Sequence, residues 1–179
     1  SNLVAHHLDA LGEAGLIERV ASASDRRRRY VRLRREPLGE LVATAADPNG
    51  LVLFVCTHNS ARSQLAAALW RTRTGGPAAS AGTQPAARVH PGAVAAAERA
   101  GLDLGGATPA VLADDAPDEA SLVVTVCDQA HEQLAPPPSW WHWSIPDPVA
   151  AGTDEAFDAV VSQLDDRIGA LTMAVGRRR

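Results

Sequence analysis

The stretch VLFVCTHNSARSQLAAALW, Val52 to Trp70, constrains the fold more than any other part of the chain. LVLFV at 51–55 is a continuous apolar, β-rich run after the turn DPNG, the pattern of a parallel strand buried on both faces. SQLAAALWRTR at 63–73 consists of strong helix formers, with Leu65, Leu69 and Trp70 on one side. A buried strand passing through a short loop into a helix is the repeating unit of an α/β sheet. Further strands are expected near 78–81, 122–126 and 142–145, which makes four parallel strands flanked by helices.

The loop Cys56–Arg62 between strand and helix has a specific chemistry. N–H groups at a helix start are unsatisfied and attract an oxyanion. The same field favours thiolate, the nucleophilic form of Cys56. The fork of Arg62 matches two oxygens of a tetrahedral anion. Ser63 is placed to donate to the sulfur and Asn59 to brace the loop. Thr57, His58, Asn59, Ser60, Ala61, Arg62 and Ser63 are therefore the expected oxyanion cradle, with His58 assigned to the loop rather than to the anion. A bare C-x5-R spacing is weak in a chain this rich in arginine; the flanking strand and helix are what make it specific.

Composition narrows the class. The 179 residues, 46% hydrophobic, suffice for one good core plus a small second module. No run of 18 apolar residues occurs and no segment reads as a signal peptide, so a cytoplasmic protein without membrane contact is expected. The two cysteines, Cys56 and Cys127, form neither a disulfide framework nor a zinc spacing, and no metal site is expected. All 17 basic residues are arginine. Charge is uneven: residues 1–42 hold eight Arg against six acids, whereas 43–179 hold nine against fifteen. A basic block beside an acidic body points to two modules with different partners.

In the first module, Val4, Leu8 and Leu11 share a helical face, ended by Gly12 to Gly15. Two strand-like runs follow, about Leu16–Ala21 and Arg28–Arg34, joined by a polar tip at 22–27. A helix before a basic hairpin is the closing half of a winged helix-turn-helix, in which the helix enters the major groove and the hairpin contacts phosphates. Asn2, His6, Arg26, Arg27, Arg28 and Arg29 are the candidate DNA contacts. A run such as DRRRR also suits a solvated turn; the preceding helix favours DNA binding by the complete module. VAHHLDALGEAGLIE with RRRRYVRLR resembles the recognition helix and wing of the arsenical-resistance repressor (ArsR) family. The likeness covers the second half of such a domain and implies a contacting His6 and a packed His7. Boundaries are expected at 1–35 for this half-domain, 36–50 for a linker with a short helix at 38–46, and 51–179 for the second module.

The second module resembles, over about residues 50–175, the low-molecular-weight tyrosine phosphatases and the arsenate reductases (ArsC) of the same fold. The resemblance rests on VLFVCTHNSARSQLAAALW, on ASAGTQPAARVHPGAVAAAERAGLDL with a helix from near Pro91, and on HWSIPDPVAAGTDEAFDAVVSQLDDRIGAL. It implies a Cys56 nucleophile, an Arg62 clamp and Asp147, beside Pro148, as general acid. As a residue type alone, Asp147 is also a plain turn aspartate. NSARSQ, with Ala61 and Gln64, is the reductase spelling. Val149 stands where the phosphatases place an aromatic. Cys127, in LVVTVCDQAHE, stands where thioredoxin-coupled reductases carry the cysteine that attacks the arsenylated nucleophile. A repressor-like neighbour also points to arsenic.

Two departures from the family matter. The third relay cysteine is Leu134, and a potassium-site glutamate is Ala67. Cys127 is accordingly either a resolving or a structural cysteine. No cofactor is expected to be held tightly. An external thiol supplies electrons, with mycothiol and mycoredoxin, or thioredoxin, as candidates; VCDQAHE resembles the mycothiol variant. Trp140, Trp141 and Trp143 are expected to pack the acid loop. The expected partners are an arsenate or phosphate oxyanion, the thiol donor and DNA, with room for a homodimer. A phosphomonoesterase and a non-catalytic oxyanion-sensing regulator are the other readings.

Overall fold

The structure is a computed structural model that describes residues 2–21, 29–34 and 50–176. The chain divides into two compact units, Ser1–Thr44 and Ala45–Arg179. The hairpin tip with Arg26, Arg27 and Arg28, and the segment expected to hold a short helix at 38–46, lie outside the described residues.

In the first unit, α1 (Asn2–Glu13) leads through a turn into β1 (Ile17–Ala21), which pairs antiparallel with β2 (Arg29–Leu33). Arg19 reaches back to Asp9 on α1 at 2.7 Å. Among the described residues of this unit Ile17 is buried, whereas Leu3, Val4 and Leu11 are exposed. Of the Val4–Leu8–Leu11 stripe, Val4 and Leu11 are exposed and Leu8 is half-buried. His7, expected to be packed, is exposed like His6.

The second unit is built on a four-stranded parallel sheet of order β4-β3-β5-β6. Its elements are β3 (Val52–Cys56), α2 (Arg62–Thr74), β4 (Ala78–Gly82), α3 (Pro91–Arg99), α4 (Ala116–Glu119), β5 (Leu122–Thr125), α5 (Asp128–Leu134), β6 (Trp141–His142), α6 (Pro148–Ala151) and α7 (Asp154–Gly176). β3 and β5 are buried throughout, as continuous apolar runs require. Alternate residues serve two cores. Leu53, Val55, Ala81 and Val123 pack with Leu112, Ala116, Leu134 and Trp140. Phe54 faces Trp70 of α2 and Trp143, with ring centroids 6.3 and 5.9 Å away. Burying a side chain the size of Phe54 or Leu65 contributes roughly 1.5–3 kcal/mol, so β3 is fixed from both sides.

α2 is buried over nine consecutive residues, Arg62 to Trp70, because it lies between the sheet and α7. It ends where Gly75 takes φ 68° and returns its N–H to Arg71 O. The last strand is shorter than expected: pairing covers only Trp141 and His142. Trp143 N–H still reaches Thr125 O at 2.8 Å. Pro146 and Pro148 then lack the donors that a strand needs, and the chain leaves the sheet. Because connections from β3 and β5 diverge to opposite sides, the C-terminal ends of these strands border the crevice where α/β sheets bind ligands.

Candidate active site

Cys56 closes β3 and is 2% exposed. The chain makes its loop by placing Asn59 at φ 48°, a left-handed conformation that asparagine tolerates better than most residues. The loop rests on Gly82 at the end of β4, where a Cβ would lie 2.7 Å from Thr57 O and 2.9 Å from Asn59 Cβ. Gly82 is thus required by close backbone approach. α2 begins at Arg62 with Ala61 as its N-cap, and Ala61 has no side-chain acceptor to offer. The first-turn N–H groups are left for an anion.

Donors converge on the sulfur. Asn59 N–H points to Cys56 Sγ at 3.2 Å, and Ser63 Oγ is 3.0 Å away. Side-chain orientations upstream settle the direction of that second bond. Gln64 Nε2 donates to Asn59 Oδ1 (3.0 Å) and to Thr108 O (3.1 Å), and Ala110 N–H also reaches Asn59 Oδ1 (2.8 Å). Asn59 Nδ2 must then donate, and it does, to Ser63 Oγ at 2.8 Å. The Ser63 hydrogen is thereby turned toward Cys56. Asn59, Ser63 and Gln64 are all buried, and such a chain of donors stabilises negative charge on sulfur.

Arg62 is 9% exposed. It donates to Ile145 O and to Asp147 Oδ2, both at 3.1 Å. Asp147 Oδ1 accepts Val149 N–H at 3.0 Å, which caps α6. The two residues expected to act together at the anion are therefore in contact. His58 Nδ1 lies 3.0 Å from Gln84 O with its ring exposed. Trp143 is 6% exposed, lies against Phe54 and sits under the Arg167 guanidinium, tying the chain before Asp147 to the core.

Cys127 is 1% exposed. Its sulfur caps α5 by accepting Ala130 N–H at 3.4 Å and lies 3.4 Å from Thr57 Oγ1. Beyond it, Asp128 accepts Ser144 Oγ–H and faces His142 Nε2, both at 3.0 Å. The Ser144 hydroxyl, aided by His142 and the positive field of Arg62, holds the Asp128 carboxyl below the usual carboxylate range. Among the described residues no group of three or more His, Cys, Asp and Glu is arranged to hold a metal.

The structure brings together Cys56, the 57–63 loop, Arg62, Asp147 and, against Thr57, Cys127. Of the DNA-contact candidates, Asn2 lies in α1, His6 is exposed on α1, and Arg29 lies in β2. Gln64, Gly82, Asp128, His142 and Ser144 were not among the expected site residues. Only Gly82, in SAGT, carried a sequence signal, a glycine at the end of a strand.

A family profile described as low molecular weight phosphotyrosine protein phosphatase matches residues 51–179. An arsenate reductase of Bacillus subtilis (strain 168) is 35% identical over 127 residues, covering 68% of this chain and 91% of that protein. A glutaredoxin arsenate reductase of Synechocystis sp. is 32% identical over 125 residues, covering 65% and 92%. A solved structure of an arsenate reductase in the phosphate binding state superposes with a TM-score of 0.60 at 29% identity, covering 70% of this chain and 98% of that one.

Proposed function

The chain belongs to the low molecular weight phosphotyrosine protein phosphatase family, and from that premise we propose that it reduces arsenate to arsenite at Cys56 with an external thiol as reductant. The observation that carries this reading is the convergence of Asn59 N–H and Ser63 on a sulfur facing an uncapped helix start, with Arg62 and Asp147 in contact beside it.

The Cys56 thiolate attacks arsenic while the loop N–H groups and Arg62 hold the remaining oxygens. An arsenic–hydroxyl bond breaks, and the departing oxygen receives a proton through Asp147 as general acid and leaves as water. An external thiolate then attacks Cys56 sulfur. The sulfur–arsenic electron pair departs with arsenic, so arsenate becomes arsenite and sulfur is oxidised to a mixed disulfide. A second thiol releases that disulfide and restores Cys56. Mycothiol with mycoredoxin is the favoured donor, because Leu134 removes the third cysteine of the thioredoxin-coupled relay. Cys127, buried and engaged as a cap, fits a supporting role.

Phosphomonoesterase activity is the second reading. Against a phosphotyrosine substrate stands the hollow beside the loop, about 530 Å³, lined by His58, Ser60, Ala86, Arg88, His90, Pro91 and Val149. It offers no Phe, Tyr or Trp to stack on a phosphotyrosine ring. Arsenite release with a thiol donor, measured beside p-nitrophenyl phosphate hydrolysis, tests the reading. Arsenite formation far above ester hydrolysis supports it; the reverse makes the protein a phosphatase, and neither activity makes it an oxyanion-sensing regulator.

The first unit contributes its helix and basic hairpin to an ArsR-like, DNA-binding winged helix. Eight arginines and one acid between Arg19 and Arg35 support this. Affinity for duplex DNA that falls steeply with salt is expected of the complete winged-helix domain, and a salt-independent anisotropy signal from that domain would remove it.

A further inference from the structure

The general acid is carried by a segment with little main-chain support. β6 contributes two residues to the sheet, and Asp147 comes five residues after its end. Between them lie Ile145, whose carbonyl orients Arg62, and Pro146, which has no N–H to donate. Trp143, bonded to Thr125 O and packed on Phe54, and the buried Ile145 anchor the segment on the core side; toward α5 it is held by one carboxylate. Asp128, first residue of α5, accepts Ser144 Oγ–H on Oδ2 and His142 Nε2–H on Oδ1. His142 is fixed further. Its Nδ1 lies 2.9 Å from the Thr125 hydroxyl, which also donates to Trp141 O at 3.2 Å. Its ring stacks on His131 with centroids 4.1 Å apart, and His131 Nδ1 lies 2.9 Å from the same hydroxyl. Thr125 is fully buried at the end of β5. The result is a side-chain strap from the central sheet and α5 across to residues 142 and 144.

We propose that Asp128 is a positioning residue for the reaction: through Ser144 and His142 it holds the 143–147 segment so that Asp147 meets the anion bound by Cys56 and Arg62. The proposal rests on the reading of Asp147 as general acid. Asp128 makes its side-chain hydrogen bonds to His142 and Ser144 and meets the cradle only through the field of Arg62, so its main influence should appear in proton delivery, with the alkylation rate of the sulfur little changed. The depressed acidity range of Asp128 keeps it ionised, and an ionised carboxylate offers two acceptor oxygens, one for each donor. Asparagine offers only one.

The test is a double-mutant cycle of Asp128→Asn with Asp147→Asn, read on arsenate reduction. Loss of Asp147 should lower kcat about 100-fold or more, the usual share of a general acid. Asp128→Asn should lower kcat roughly 10-fold with KM for arsenate changed less than about twofold, and in the Asp147→Asn background should add less than about twofold. Iodoacetamide alkylation of Cys56 should keep its wild-type rate. Acrylamide quenching of tryptophan fluorescence should rise in Asp128→Asn, because Trp143 sits in the released segment. Ser144→Ala, which leaves Asp128 on His142 alone, should move kcat and quenching in the same directions by less. An unchanged kcat, losses that multiply in the double variant, a slowed alkylation or unchanged quenching would each overturn the proposal. Quenching and alkylation need no arsenate, so they decide it even if the reductase reading fails.

Discussion

β3 and β5 lie side by side, both wholly buried, and each leads to a cysteine from which the chain turns into a helix. At β5 the helix starts at once, and Cys127 sulfur becomes its N-cap, taken up by Ala130 N–H and set against Thr57. At β3 five residues intervene before α2, and they fold back over the sulfur. Cys56 then receives Asn59 N–H and Ser63, while the helix start beyond remains uncapped. The same residue type at the ends of adjacent strands, one residue apart in register, thus has different hydrogen-bonding surroundings. Burial does not separate them, since both sulfurs are nearly inaccessible. Each sulfur accepts the N–H three residues on; what separates them is that Cys127 thereby caps its helix, whereas the start of α2 beyond Cys56 has no side-chain cap.

The comparison can be broken most directly at the sulfurs themselves. Cys56→Ser should reduce arsenite formation by roughly 10,000-fold or more, since a hydroxyl in the same cradle is a poor nucleophile and cannot enter a disulfide. Circular dichroism should show the fold intact, and residual turnover near wild type would make the two cysteines equivalent after all. Arg62→Lys should cost roughly 100-fold in kcat/KM, because an ammonium cannot hold Ile145 O, Asp147 and an anion with one planar fork. Steady-state kinetics with arsenate as the varied substrate would show it.

A smaller effect sharpens the contrast. Gln64→Ala removes one of the two donors that fix the Asn59 amide, leaving Ala110 N–H, and leaves Thr108 O without its side-chain partner. An unmade buried bond costs about 1–3 kcal/mol, and the rate of Cys56 alkylation by iodoacetamide should fall about 10-fold. Cys127 has no such chain behind it, so its own variant is the mildest. Cys127→Ser keeps an N-cap acceptor and should retain arsenite formation within about threefold with a mycothiol donor. A dead variant, with a Cys56–Cys127 disulfide seen by mass spectrometry during wild-type turnover, would convert the cap into a resolving thiol.

Much of the first strand-loop-helix was legible because its determinants are contiguous. The apolar run, the loop and the helix formers between Leu51 and Thr74 all act on their near neighbours. The end of the sheet was not. HWSIP has the composition of a strand, yet Pro146, Pro148 just beyond it and the demand of Arg62 for Ile145 O draw it away after His142. The supports of the site were hidden for the same reason. Gln64 looks like an ordinary helix residue until Asn59 and Thr108, 5 and 44 positions away, are folded onto it. Asp128 is an ordinary first-turn acid until Ser144 arrives. In the first unit the helix and hairpin appear where hydrophobic period and turn residues placed them, whereas the Val4 and Leu11 face is uncovered within that unit.

Alanine at position 61 has a thermodynamic consequence for how the protein is handled. A helix start without a Ser, Thr, Asn or Asp cap gives up about 1 kcal/mol, and here the groups concerned are the ones an oxyanion would engage. Binding and folding are therefore linked: an oxyanion at 100 times its dissociation constant raises the unfolding free energy by about 2.7 kcal/mol. Phosphate shares the tetrahedral shape of arsenate, so a phosphate buffer that lifts the melting temperature also competes with substrate. Oxyanions ranked by the thermal shift they produce should fall in the same order when ranked as inhibitors.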